Sequence, residues 1–266
     1  MITPFLKWAG GKRQLLPHIR KLYPESINTY YEPFLGGGAV FFDLMPDKYL
    51  ISDSNPELIN TYKCISTKTS QVIALLKKMK NTEEFFYEIR KLKFHNLSKI
   101  DAAARTIFLN RTCFNGLYRV NKNGDFNVPF GRYKNPDIIQ SKSLNNASKI
   151  LKYRKIKCMD FRKIQEFDLS KKDLVFFDPP YVPLEGYSDF KRYTKEQFHA
   201  DSQEDLAAIF KNLAKKKIRL ILTNSNTELV HRLFKGFDKL IVKSSRRINC
   251  IPSKRKGEEI IIHANL

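Results

Sequence analysis

Asp178-Pro179-Pro180-Tyr181 is the stretch of this 266-residue chain most plainly equipped for chemistry. Two prolines stiffen the backbone, and Pro179 keeps a carbonyl acceptor while offering no N–H. Asp178 can take one hydrogen of an amino group while that carbonyl takes the other. Pro180 fixes the approach to Tyr181, whose ring offers a flat face for stacking. The bland alternative is a loop with two prolines and an exposed acid. Two further features bear on the choice. Gly36-Gly37-Gly38 lets backbone approach a ligand closely, and Asp53 stands 17 residues after Gly36, where a carboxylate could hold the two hydroxyls of a ribose. A glycine turn alone is more readily read as tight packing. With Asp53 and Asp178, it reads as a nucleoside site beside a place for an amino group.

Other motifs drop out on their spacing. The dinucleotide fingerprint fails, because Phe41 stands where the third Gly or Ala belongs. Gly11-Lys12 is no phosphate loop, since position 6 is Leu and Arg13 replaces the magnesium-binding Ser or Thr. Cys64, Cys113, Cys158 and Cys250 form no CxxC pair, and the five histidines form no HExxH. Neither a zinc centre nor a disulfide framework is expected, and no metal.

These residues need elements to position them. Tyr30 to Phe34 reads as a strand running into the glycines, followed by a helix from Ala39 to Leu44 and a strand from Tyr49 to Ile51. Leu58 onward is helical. The order strand, glycine turn, helix, strand, acid is half of a doubly wound sheet. Helical periodicity covers Ser70 to Lys80, Glu83 to Phe94, Ala102 to Leu109 and most of Pro136 to Leu151. Tyr118 to Phe130 reads as a hairpin around Asn123-Gly124. Strands are expected at Ile156–Met159, Leu174–Phe177, Ile218–Thr223, Lys239–Lys243 and Glu259–His263, with a helix at Gln203–Ala214. The expected fold is α/β: a Rossmann-like doubly wound sheet formed by residues 1–57 and 156–266. A mainly helical segment, 58–155, is inserted into it and carries the hairpin.

Charge narrows the partner. Lys and Arg outnumber Asp and Glu by 21, and the 33 Lys against 15 Arg suit an A/T-rich coding bias. Bias chooses Lys over Arg, but it does not create so large a basic excess. A polyanion is the expected partner, nucleic acid first. No apolar run approaches the ~18 residues of a membrane span. The start, MITPFLKWAGGK, lacks the apolar core of a signal peptide. A soluble, cytoplasmic protein acting at the nucleoid is therefore expected.

Several stretches together carry a resemblance. They are Phe5-Leu6-Lys7-Trp8-Ala9-Gly10-Gly11-Lys12, Glu32-Pro33-Phe34-Leu35-Gly36-Gly37-Gly38, Ser52-Asp53-Ser54-Asn55, Asn110 to Arg119, Phe126 to Tyr133, and Asp178 to Tyr181. In this order the chain resembles the DNA adenine methyltransferases of the Dam and DpnM type, which use S-adenosylmethionine. The resemblance implies that Trp8, Lys12, Asp53 and Asp178 touch the methyl donor, with Phe34, Gly36 and Gly38 lining its site and Asp160 and Phe161 near its adenine. It implies that the target adenine is flipped out of double-stranded DNA and stacks on Tyr181. It makes 58–155 the target-recognition segment, whose family counterparts read GATC, with Lys7, Phe114, Asn115, Leu117, Arg119 and Pro129 at DNA-reading or helix-wedging positions. Phe114 departs from relatives that carry Tyr there. A restriction endonuclease cutting the same site is a possible partner.

The mechanism expected is direct. The exocyclic amine of adenine is a poor nucleophile, and two acceptors can favour its tetrahedral form and aim it. Ring-carbon methylation of cytosine would need a nucleophilic cysteine, and no Pro-Cys pair occurs. Two alternatives stay open at this stage: methylation of a cytosine or RNA amino group, and an inert DNA-binding protein of the same fold.

Overall fold

A computed structural model describes residues 2–151, 155–182, 198, 200–245 and 256–266. Among these, the apolar runs assemble into one sheet of seven strands. They are β1 (Tyr30–Glu32), β2 (Tyr49–Asp53), β3 (Lys155–Cys158), β4 (Leu174–Phe177), β5 (Arg219–Ser225), β6 (Asp238–Ser245) and β7 (Lys256–Ala264). Their spatial order is β3-β2-β1-β4-β5-β7-β6. The first five run parallel, and β7 lies antiparallel between β5 and β6. β4 shows why its sequence is continuously apolar: Leu174, Val175, Phe176 and Phe177 are all fully buried, as a central parallel strand with two covered faces requires. The chain leaves β1 toward β2 on one side and returns through β4 on the other. That reversal opens a crevice at the carboxyl ends of β1 and β4, where open α/β sheets take ligands.

The helices are α1 (Leu16–Leu22), α2 (Ala39–Leu44), α3 (Pro56–Thr67), α4 (Thr69–Leu76), α5 (Glu83–Lys91), α6 (Lys99–Thr112), α7 (Ser141–Leu151), α8 (Ala200–Lys215) and α9 (Glu228–Leu233). Their starts follow the usual capping chemistry. The Asn55 side chain accepts from the Leu58 N–H, with Pro56 in the first turn. Thr82 and Ser98 cap α5 and α6 in the same way. α6 is buried nearly all round, through Ala102, Ala103, Ala104, Ile107, Phe108 and Leu109, and so forms the axis of the inserted helices. α3 packs on α6 and α7 but also reaches β2 and β3. The boundary expected at 57/58 therefore falls inside a helix that serves both parts.

Several boundaries differ from the sequence reading. The helix expected over most of Pro136 to Leu151, after its first residues, begins at Ser141. Before it, the Asp137 side chain accepts from the Gln140 N–H, and Gln140 adopts φ +43° while its side-chain amide donates to the Phe5 carbonyl. The helix expected through Phe94 stops at Lys91, and Phe94–Asn96 forms a separate 3-10 turn. The hairpin is present but sparse, held by single bridges Cys113↔Phe130 and Val120↔Phe126. Tyr118, Val120, Phe126 and Val128 all turn inward and are buried, so packing rather than a long ladder holds its arms. Cys250 lies outside the described residues. Among the described residues no helix is long and apolar enough to cross a membrane.

Candidate active site

Three strand ends supply the site. After β1, Leu35 donates to the Ser52 carbonyl and draws the glycine turn toward β2. Gly36 and Gly38 have φ +49° and +69°, a region that favours glycine. Space forbids a side chain as well. A Cβ at Gly36 would stand 2.9 Å from Trp8 Cδ1, and one at Gly38 2.8 Å from the Tyr62 hydroxyl. At the end of β2, the Asp53 carboxylate accepts from the Gly36 N–H (3.0 Å) and the Asn55 N–H (3.0 Å). Burial raises its pKa to about 6, against the backbone hydrogen bonds that favour the charged form. A carboxylate has about four acceptor positions, so Asp53 can tie the turn to β2 and still receive two hydroxyls.

An aromatic group closes one side. The Phe34 and Phe161 rings stack at 5.0 Å, and Phe198 sits 5.7 and 5.6 Å from them. Phe161 opens a 3-10 turn that Asp160 caps by accepting from the Arg162 N–H. Asp160 is also paired with the Arg162 guanidinium. Phe198 escaped the sequence reading, because an isolated aromatic ahead of a helix carries no local signal.

At the end of β4, Asp178 receives two partners on one oxygen. Its Oδ1 lies 2.8 Å from Lys12 Nζ and accepts from Thr223 Oγ1 at 2.8 Å. Lys12 is almost wholly buried; it also donates to the Gly10 carbonyl and sits 4.5 Å from the centre of the Tyr181 ring. The Tyr181 hydroxyl donates to Glu259 on β7 at 2.8 Å. Burial pushes the Asp178 pKa up, and the Lys12 ammonium pulls against it. Glu32, on β1, is pushed well above the usual carboxylate range by burial, opposed by the hydrogen bond from Tyr30. Thr223 and Glu259 were also missed, since the parallel pairing of β4 with β5 brings the first here and the antiparallel pairing of β5 with β7 the second. Pro179 is buried and Pro180 half-buried behind the acid.

The expected DNA-facing residues gather on the neighbouring hairpin. The Asn110 side chain bridges the Lys7 N–H and carbonyl, and also donates to the Gly116 carbonyl. Phe114 is 51% exposed, and its N–H donates to the carbonyl of exposed Pro129. Asn115 is exposed at φ +55°, its N–H held by the Tyr133 hydroxyl; Lys7 Nζ lies over that ring at 4.9 Å. Leu117 is half-buried. Arg119 does not project freely: its Nε donates to Asn127 Oδ1 at 2.8 Å. Hairpin and donor side meet where Trp8 stacks on Tyr118, 4.9 Å apart.

Comparison with known proteins identifies the family. Residues 8–248 match the family described as D12 class N6 adenine-specific DNA methyltransferase. The chain is 42% identical to the Type II methyltransferase M1.LlaDCHI of Lactococcus lactis subsp. cremoris, covering 98% of this chain and 95% of that protein. It is 41% identical to the Type II methyltransferase M.MjaIII of Methanocaldococcus jannaschii, covering 96% of each. With the DNA adenine methylase of Haemophilus influenzae it shares 34% identity over 97% of this chain and 92% of that one.

Proposed function

Because the chain belongs to the D12 class of N6 adenine-specific DNA methyltransferases, we propose that it methylates the adenine of GATC in double-stranded DNA, using S-adenosylmethionine and a flipped-out base. The observation that carries this reading is the convergence of Asp53, the glycine turn and Asp178 on neighbouring parallel strand ends. The residues there suit such a donor. Asp53 offers acceptors for ribose hydroxyls, Phe34, Phe161 and Phe198 offer flat faces for a purine, and Trp8 packs over a turn too tight for any side chain. The donor supplies a methyl group made electrophilic by its sulfonium.

The chain's own residues do the rest. Lys12 and Thr223 both engage Oδ1 of Asp178, which leaves Oδ2 to accept from the target amine. The Pro179 carbonyl is the second acceptor. Together they hold the nitrogen pyramidal and stabilise the positive charge that develops on it. Tyr181 is anchored at both its hydroxyl and its face, and gives the extruded base a surface to stack on. An amine inside a duplex is out of reach of a buried carboxylate, which is why flipping is part of the reading.

Residues 58–155 are the proposed recognition segment. Phe114, Asn115 and Pro129 are exposed there, Lys7 is exposed beside them, and Arg119 presents the free edge of its guanidinium to guanine. The Type II names of two relatives favour a companion endonuclease on the same site. Digestion of treated DNA with two GATC nucleases of opposite methylation sensitivity tests the site, and mass spectrometry of the nucleosides tests the base. Unmethylated GATC alongside N6-methyladenine elsewhere would refute the sequence assignment and leave the chemistry standing.

A further inference from the structure

The loop that carries Asp178 is held from behind by a buried chain of amides. Gln203, on α8, donates from Nε2 to the Pro180 carbonyl at 2.9 Å. Its Oε1 accepts from Asn224 Nδ2 at 3.1 Å. Asn224 Oδ1 in turn accepts from the Val182 N–H at 3.1 Å, and the Ser225 hydroxyl donates to the Val182 carbonyl at 2.9 Å. Gln203 is 3% exposed, Asn224 0% and Ser225 2%. Each amide's orientation is forced by its neighbours, because Pro180 offers only an acceptor and Val182 N–H only a donor.

Buried amides in this arrangement do more than fill space. Prolines 179 and 180 supply two carbonyls and no N–H, so the loop cannot fix itself by backbone pairing. Drawing one of those carbonyls toward α8 determines how the peptide before it is turned. We propose that Gln203 is a positioning residue: by holding the Pro180 carbonyl away from the site it sets the direction in which the Pro179 carbonyl meets the target amine. This deepens the mechanism above and rests on its claim that Asp178 and the Pro179 carbonyl hold that amine.

Gln203→Glu is the isosteric probe. Its carboxyl, while protonated, still donates to the Pro180 carbonyl and accepts from Asn224. Once ionised it can only accept, and it repels that carbonyl. Single-turnover formation of N6-methyladenine by this variant should therefore fall by about tenfold or more as the pH rises, on an alkaline limb absent from the natural chain, while affinity for the methyl donor matches that of the natural chain at each pH. Gln203→Leu should be slow at every pH, with the loss in kcat and not in the KM for the donor. A pH profile for Gln203→Glu that parallels the natural one overturns the proposal, as does a folded Gln203→Leu variant with the natural single-turnover rate. Should Gln203→Leu fail to fold, the Glu profile decides alone. Asp178→Ala is run beside them: retained activity there refutes the underlying mechanism, whatever Gln203 does.

Discussion

The carboxyl ends of β1, β2 and β4 and the hairpin around Asn121–Asp125 are built on opposite plans. At the strand ends the two acids are each gripped by two partners: Asp178 by Lys12 and Thr223, Asp53 by two backbone N–H groups. On the hairpin the inward side chains are packed, and the outward ones, Phe114, Asn115 and Pro129, are exposed. Transfer chemistry needs acceptors fixed before the substrate arrives, in surroundings of low dielectric that strengthen them. Recognition needs atoms that can meet a groove. The consequence shows in the acids: burial raises the pKa of Asp53 and Asp178, whereas the hydrogen bond from Lys93 lowers that of Asp125.

Substitutions can break this contrast, and the largest effect belongs to the strand ends. Asp178→Ala should lower single-turnover methyl transfer by about 100-fold to 1,000-fold or more, while leaving DNA binding in a gel-shift titration nearly intact. Next is Asp53→Ala, which should weaken donor binding by about 1.5–3 kcal/mol in calorimetry. Donor affinity of the natural chain should also fall as pH drops through about 6, because protonated Asp53 loses acceptor capacity. Folding stability runs the other way. A raised carboxyl pKa stabilises the fold below the ordinary carboxylate range, and that contribution is lost as pH climbs through about 6.

The hairpin's effects should be smaller and selective. Arg119→Ala should cost about 1–3 kcal/mol of discrimination at one guanine of the site, measured as relative rates on single-base variants. Equal loss on every variant would make Arg119 a phosphate contact. The mildest effect is the coupling of Tyr118 to Trp8. Their stack should be worth about 0.5–1.5 kcal/mol, read as the coupling between Tyr118→Leu and Trp8→Leu in thermal unfolding. An effect there as large as that of Asp53→Ala would mean that the two regions work as one.

The sequence made the chemistry legible where residues lie close in the chain. Asp178 to Tyr181 follows a continuous apolar run of the buried parallel-strand type, and the glycines sit between an expected strand and an expected helix. What stayed hidden depends on long-range pairing. Thr223 reaches the site because β5 pairs with β4, Glu259 because β7 runs antiparallel beside β5, and Gln203 because α8 packs behind the loop. Short α1 and α9 gave too few turns to show a period. The hairpin was found from its Asn-Gly turn, but the tether of Arg119 to Asn127 needs both arms folded.

The place of β1 in the sheet also has a consequence for how the chain is made. β1 pairs with β2 on one side, only some twenty residues away, but on the other with β4, whose first residue is Leu174. At roughly 5–20 residues per second of synthesis, that second edge waits on the order of ten seconds for its partner. Throughout that time Tyr30–Glu32 presents unsatisfied N–H and C=O groups beside an apolar surface, a template for pairing with any other extended chain. Helices α3 to α7 are synthesised within that interval, and their mutual packing would shorten the gap that β3 and β4 must later close. A segment proposed to read DNA in the finished enzyme would thus serve the nascent one as a brace.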